Sequence, residues 1–259
     1  MLRMKRLTLL AFAAAAVFYT CTQDSLENPL DARLNARLSD LSPGGDRSYF
    51  VLPDEEDYNN IPHDPQNPLT REKVELGKML FFETGLALAP AKSFNKETYS
   101  CATCHVPSIG FVPGRPQGIA DGGVGFGQNG EKRKGMQLYE PEEMDVQGAR
   151  PLSVMNVAFT VNTMWSGQFG GNGINEGTED RWIGDTELNH EGFFGLETQN
   201  IEGLHIHRMV VNKDVTDTLG YTQMFDQAFA EWSDDERYSP KSASFAISAY
   251  LRTLLTNEA

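Results

Sequence analysis

The stretch Ser100-Cys101-Ala102-Thr103-Cys104-His105 decides how this chain is read. Two thiols three positions apart, followed at once by an imidazole, form C-x-x-C-H, the attachment signature of c-type heme. The spacing has a physical reason. The thiols can reach two vinyl groups on one side of a porphyrin and close thioether bonds, and the next residue then lies under the iron as its proximal ligand. Cys101 and Cys104 are therefore read as the cofactor-binding residues and His105 as the metal ligand of one covalently attached heme c. Other uses of two cysteines are less consistent with the surroundings. A zinc site wants a second Cys or His pair at short range, and none follows His105 for 84 residues. A thioredoxin-like dithiol wants a βαβ context, which the flanking sequence lacks. A plain structural disulfide stays open on spacing alone.

Outward from the motif, the pattern is helical. Thr70 reads as an N-cap, and Val74, Gly77 and Phe81 then recur at helical spacing, with Leu76 and Leu80 beside them. Gly77 in a helix interior costs about 1 kcal/mol relative to Ala, which suggests a close approach by another helix or a flat ligand. Near the other end, Ser239-Pro240 reads as an N-cap followed by proline at the first helical position, with Ile247, Leu251 and Leu254 as the apolar stripe. Phe225, Ala228, Phe229 and Trp232 follow i, i+3, i+4, i+7 and predict a helix before it. Strand-like alternation is scarce. Residues 107–150 and 166–190 are long loops rich in Gly, Asn and charge; loops of this length are uncommon unless they are functional or wrap something. The expected fold class is all-α with long irregular loops.

The chain of 259 residues has a formal net charge of −14, which makes it a poor candidate for binding nucleic acid, whose phosphates need a basic face. The acidity is read first as solubility, with steering of a basic redox partner as the alternative. The one long apolar run is N-terminal, so a polytopic membrane protein is excluded. Met1-Leu-Arg-Met-Lys-Arg6 is a basic segment, Leu7 to Val17 a short apolar one, and Cys21 follows. This resembles a bacterial lipoprotein signal over residues 1–20, with a lipid anchor on Cys21 and a location in the periplasm or cell envelope. Phe18-Tyr19-Thr20 departs from the small-residue pattern usual there, and ordinary cleavage near Ala14 or Ala16 is the alternative. Residues 21–66 are polar and read as a tether or irregular extension, and 67–259 as the heme domain.

Taken together, the residues resemble the bacterial diheme cytochrome c peroxidases and their relatives. The resemblance runs through Asn67-Pro-Leu-Thr-Arg-Glu-Lys-Val-Glu-Leu-Gly-Lys-Met-Leu-Phe-Phe82, the heme motif, Gly110-Phe111, Arg150-Pro151, Asn156-Val-Ala-Phe159, Met164-Trp165-Ser-Gly167 and Ala249-Tyr-Leu-Arg-Thr-Leu254, interrupted by a charged insertion around 130–146. It implies a cytochrome c-like heme domain that reduces hydrogen peroxide with electrons from a small cytochrome or cupredoxin. Family members carry a second such domain; this chain has one C-x-x-C-H, so the second heme is expected on another polypeptide or lost by truncation.

Three departures qualify what is carried over. The Gly-x-Gly loop that bears a distal histidine in well-known members reads Gly125-Phe126-Gly127 here, which implies an open sixth iron position and a peroxide pocket on the Phe126 side. The family's acid/base glutamate, in Asn-Pro-x-Glu-Met, has no fixed counterpart within Gln199-Asn-Ile-Glu-Gly-Leu-His-Ile-His-Arg-Met209. Gln199 and Met209 match, and His207 or Glu202 is left for the proton work, with Arg208 to stabilise charge. For His205 and His207 an ordinary surface or core pair is the alternative. The family's calcium is not expected, because its asparagine near Arg150 is not evident. Trp165 matches the tryptophan between the family's two hemes and is read as an electron relay or as an aromatic packed on heme. The candidate catalytic residues are thus Gln199, His207 and Trp165. A rival function is a monoheme electron carrier without peroxidase activity, its iron held by a methionine among 136, 144, 155 and 164. An oxidase acting on a protein or metabolite would share the open site.

Overall fold

The computed structural model describes residues 28–257, which form two compact units, 28–52 and 53–257. The signal and the Cys21 anchor expected from the sequence lie outside the described residues. In the first unit, helix α1 (Pro29–Leu41) starts at Asn28, whose side chain accepts from the Leu30 amide at 3.0 Å, with proline at the first helical position. A helix thus occupies part of the stretch expected to be a tether.

The second unit begins at Pro53, so the stretch read as a tether to residue 66 ends sooner. The reason is burial. Ile61, Asp64 and Asn67 are almost fully buried, and the Asp64 carboxylate accepts from the Phe194 amide at 2.6 Å. The core of this unit is built by α2 (Arg71–Phe82), α3 (Gly195–Ile206) and α7 (Pro240–Arg252). Thr70 caps α2 by accepting from the Lys73 amide, and Ser239 caps α7 by accepting from the Ser242 amide, as the sequence predicts. Leu76, Leu80 and Phe81 of α2 meet Phe245, Ile247 and Leu251 of α7 and Leu196 and Leu204 of α3.

Between α3 and α7 lie the short helices α4 (Lys213–Leu219), α5 (Thr222–Ala228) and α6 (Asp234–Arg237). The apolar spacing predicts that α5 runs on to Trp232, yet it stops at Ala228. The Arg237 guanidinium takes the carbonyls of Phe229, Ala230 and Trp232 at 2.7–3.1 Å, giving these groups a partner outside any helix. Strand structure among the described residues is a two-residue ladder, β1 (Gly123–Val124) antiparallel to β2 (Lys134–Gly135), with a few isolated bridges. The long loops are otherwise pinned by side chains. The Asn162 amide donates to the carbonyls of Phe169, Gly170 and Asn172, and the Asn189 amide to that of Gln168. The fold is all-α with long irregular loops.

Candidate heme site

The C-x-x-C-H motif folds as one tight turn. The Thr103 amide donates to the Ser100 carbonyl and the His105 amide to the Cys101 carbonyl, both at 3.0 Å, while the Thr103 hydroxyl accepts from the Ser100 amide. This brings Cys101, Cys104 and His105 to the wall of one cavity of about 1750 Å³ of empty space, part of it open to solvent. Cys101 and Cys104 are not joined to each other in a disulfide. Among the described residues no group of three or more His, Cys, Asp and Glu converges as a metal cluster.

The donor set fits a covalent heme. His105 Nδ1 faces the Phe111 carbonyl at 3.1 Å, and a carbonyl only accepts, so the proton sits on Nδ1 and Nε2 is left as the ligating nitrogen. Burial lowers the His105 pKa, favouring the neutral imidazole a metal needs. Burial also pushes the thiols up, Cys101 to about 12 and Cys104 to about 11, so both are protonated at neutral pH. The rest of the wall is largely apolar, from Phe81, Val154, Leu196, Ile247 and Leu251, the surface a porphyrin face requires. Gly118 backs the attachment point, where a Cβ would stand 2.5 Å from Cys104 Sγ.

Gln199, Glu202 and His207 of the α3 region line the same cavity. His207 Nδ1 meets Asp145 Oδ2 at 2.6 Å. The candidate residues divide from there. His205 points to solvent with its side chain 84% exposed, paired with Glu202, which fits the ordinary surface reading. Arg208 does not serve the cavity. Its guanidinium pairs with the buried Asp121 and donates to the Glu143 carbonyl at 2.8 Å, from a left-handed backbone (φ 56°). Trp165 stands at the cavity's edge, 71% exposed, its indole donating to the Arg150 carbonyl at 3.2 Å. The Gly125-Phe126-Gly127 loop, expected beside the peroxide pocket, is not among the residues lining the cavity; it turns back on the segment 130–133, where the Lys132 amide donates to the Phe126 carbonyl. Of the methionines, Met155, Met164 and Met209 line the cavity, whereas Met144 packs on Gly122 and Gly135.

Two residues at the site escaped the sequence reading. Asp145 sits in the charged stretch read as an insertion, and nothing in its neighbours marks it as a partner of a histidine 62 positions away. Tyr99, fully buried, donates its hydroxyl to the His207 carbonyl at 2.9 Å. Its position two residues before the first cysteine of the heme motif was the available signal.

An all-α scaffold that brings two thiols and an imidazole to one largely apolar cavity is the arrangement that a c-type heme requires. The chain belongs to the di-haem cytochrome c peroxidase family, whose model matches residues 71–259. This is a family of heme-binding redox enzymes. Among curated proteins, the chain is 43% identical over 65 residues to the methylamine utilization protein MauG of Methylorubrum extorquens, covering 25% of this chain and 16% of that one. It is 25% identical over 211 residues to the methylamine utilization protein MauG of Methylophilus methylotrophus, covering 82% of this chain and 47% of that one. It thus spans about half the length, or less, of these relatives. A solved structure of a MauG-like protein associated with microbial copper homeostasis is 20% identical, with a TM-score of 0.40, over 80% of this chain and 47% of that one. No helix among the described residues is long and apolar enough to cross a membrane.

Proposed function

We propose that residues 67–259 bind one heme c through Cys101, Cys104 and His105 and reduce hydrogen peroxide with electrons from a small cytochrome or cupredoxin. The observation that carries this reading is the shared wall: the attachment residues and His207, itself paired with Asp145, face one cavity. When bound, heme supplies the iron at which peroxide is reduced. The chain's own residues handle the protons. Breaking O–O to give two waters consumes two electrons and two protons. An imidazole can take a proton from one peroxide oxygen and return it to the other as the bond breaks. In this reading His207 does that work, and Gln199 orients peroxide from the same helix. Trp165, at the edge, carries electrons in from a second heme-bearing domain, on this polypeptide or another. Export to the cell envelope, with Cys21 as a lipid anchor, belongs to the same proposal, because covalent heme attachment takes place outside the bacterial cytoplasm.

The test is peroxide consumption by the heme-loaded protein with a reduced small cytochrome as donor. Turnover that falls about 100-fold or more in His207→Ala, with heme content unchanged, supports the reading, since general acid–base catalysis contributes roughly 10²–10⁴-fold. A second reading is favoured by Met155, Met164 and Met209 in the cavity wall: an electron carrier with methionine as sixth ligand. It predicts a low-spin ferric spectrum that peroxide leaves unchanged.

A further inference from the structure

We infer that Asp145 is the positioning residue of His207, holding the imidazole in the tautomer that presents Nε2 to the cavity. The inference rests on the proposed role of His207 in proton transfer.

The main chain of His207 is fixed from two sides. Its amide donates to the Gly203 carbonyl at 2.9 Å, closing the last turn of α3, and its carbonyl accepts from the buried Tyr99 hydroxyl at 2.9 Å. What remains free is the ring, and Asp145 takes hold of that. Asp145 Oδ2 lies 2.6 Å from Nδ1. The Asp145 side chain is 6% exposed against 32% for His207, so the carboxylate sits behind the ring and the imidazole fronts the open space.

Asp145 is itself anchored through its backbone: its amide donates to the Asp121 carbonyl and its carbonyl accepts from the Ala120 amide. The other carboxylate oxygen, among the described residues, accepts one long bond from the Gln147 side-chain amide, at 3.4 Å. An ionised carboxylate can only accept, so the ring proton belongs on Nδ1 and the lone pair on Nε2. A base oriented by a third group is the general arrangement for making an imidazole effective. The stretch containing Asp145 thus acts on the cavity through the His207 ring.

The test uses the heme-loaded protein and three variants, Asp145→Asn, His207→Ala and the double variant, read by kcat/KM for peroxide with heme content and circular dichroism as folding controls. Asn offers an amide N–H that favours the opposite tautomer. Asp145→Asn is expected to lower kcat/KM about 10-fold or more, within the roughly 10²–10⁴-fold that proton transfer contributes. The double variant is expected to match His207→Ala alone, because Asp145 acts only through His207. Asp145→Glu, which keeps the carboxylate, should recover part of the rate. A His207→Ala protein with full activity would remove the acid/base reading itself. A slow His207→Ala beside a fully active Asp145→Asn, or losses that multiply in the double variant, would overturn the positioning role while leaving that reading intact. If Asp145→Asn does not fold, ¹H–¹⁵N correlation on the wild-type protein in its diamagnetic, CO-bound ferrous form still decides: a proton on His207 Nδ1 is expected, and a proton on Nε2 alone overturns the inference.

Discussion

Gly77 of α2 lies against Ala246 of α7 so closely that a Cβ on the glycine would stand 1.8 Å from the Ala246 carbonyl oxygen. The close approach that Gly77 implies in the sequence is therefore a helix crossing. The obstacle is backbone, which cannot rotate aside as a flexible side chain would. Gly77→Ala gains helix propensity of about 1 kcal/mol but forces the two core helices apart. Overpacking of a tight core costs typically about 1–3 kcal/mol, and more when backbone must move. The variant is expected to be net destabilised, by about 2 kcal/mol or more, in urea unfolding. A variant as stable as the wild type would show that the crossing is looser than described.

Arg252 and Glu197 are both fully buried, and Arg252 Nη2 donates to Glu197 Oε2 at 2.6 Å. Asn67 adds a bond to Oε1 at 3.1 Å and in turn accepts from Lys73. Removing one partner of a buried ion pair strands the other charge, at a cost of about 3–5 kcal/mol. Arg252→Ala should lower the melting temperature by roughly 6–20 °C, taking about 2–4 °C per kcal/mol for a domain of this size. The double change Glu197→Gln with Arg252→Met should be milder than Arg252→Ala alone. Equal losses would mean that packing, not charge pairing, dominates.

Asp121 supplies a pH dependence. Its burial pushes the carboxyl pKa up, but bonds from Tyr139, Asn95, the Ala91 amide and Arg208 outweigh burial and hold it below the ordinary value. A carboxylate depressed in the folded state adds stability that is present above its unfolded pKa of about 3.9 and lost as pH falls through the folded value. Asp121→Asn should therefore be less stable than wild type at pH 7, and the gap should narrow as pH falls below about 4. Urea midpoints measured from pH 7 to pH 3 test this, and curves that stay parallel would contradict it.

How much of this was legible beforehand follows from the range of each interaction. The caps at Thr70 and Ser239 and the attachment turn at 101–105 are local, set by residues within five positions, and the sequence carries them plainly. The end of α5 was missed because its cause, Arg237, sits outside the apolar pattern that predicts the helix. The order of residues 53–66 was missed because a polar composition hides Ile61 and the bond from Asp64 to a loop 130 positions away. Arg208 adjoins His207 in sequence but its guanidinium goes to Asp121, a partner 87 positions away that spacing does not reveal. Gln199 and His207 do reach the cavity, one from the middle of α3 and the other from its C-terminal cap, as their separation by about two helical turns permits.

The central claim is that Cys101, Cys104 and His105 form a covalent heme site, and the most direct measurement is heme content per chain after denaturation. The protein is produced in a host that attaches c-type heme, and intact mass and the pyridine hemochrome spectrum are compared for wild type and the Cys101→Ser/Cys104→Ser variant. The account predicts one heme bonded to each wild-type chain and none retained by the variant once unfolded. Wild-type chains that carry two free thiols and no bonded heme, or a variant that keeps its heme through denaturation, would contradict it.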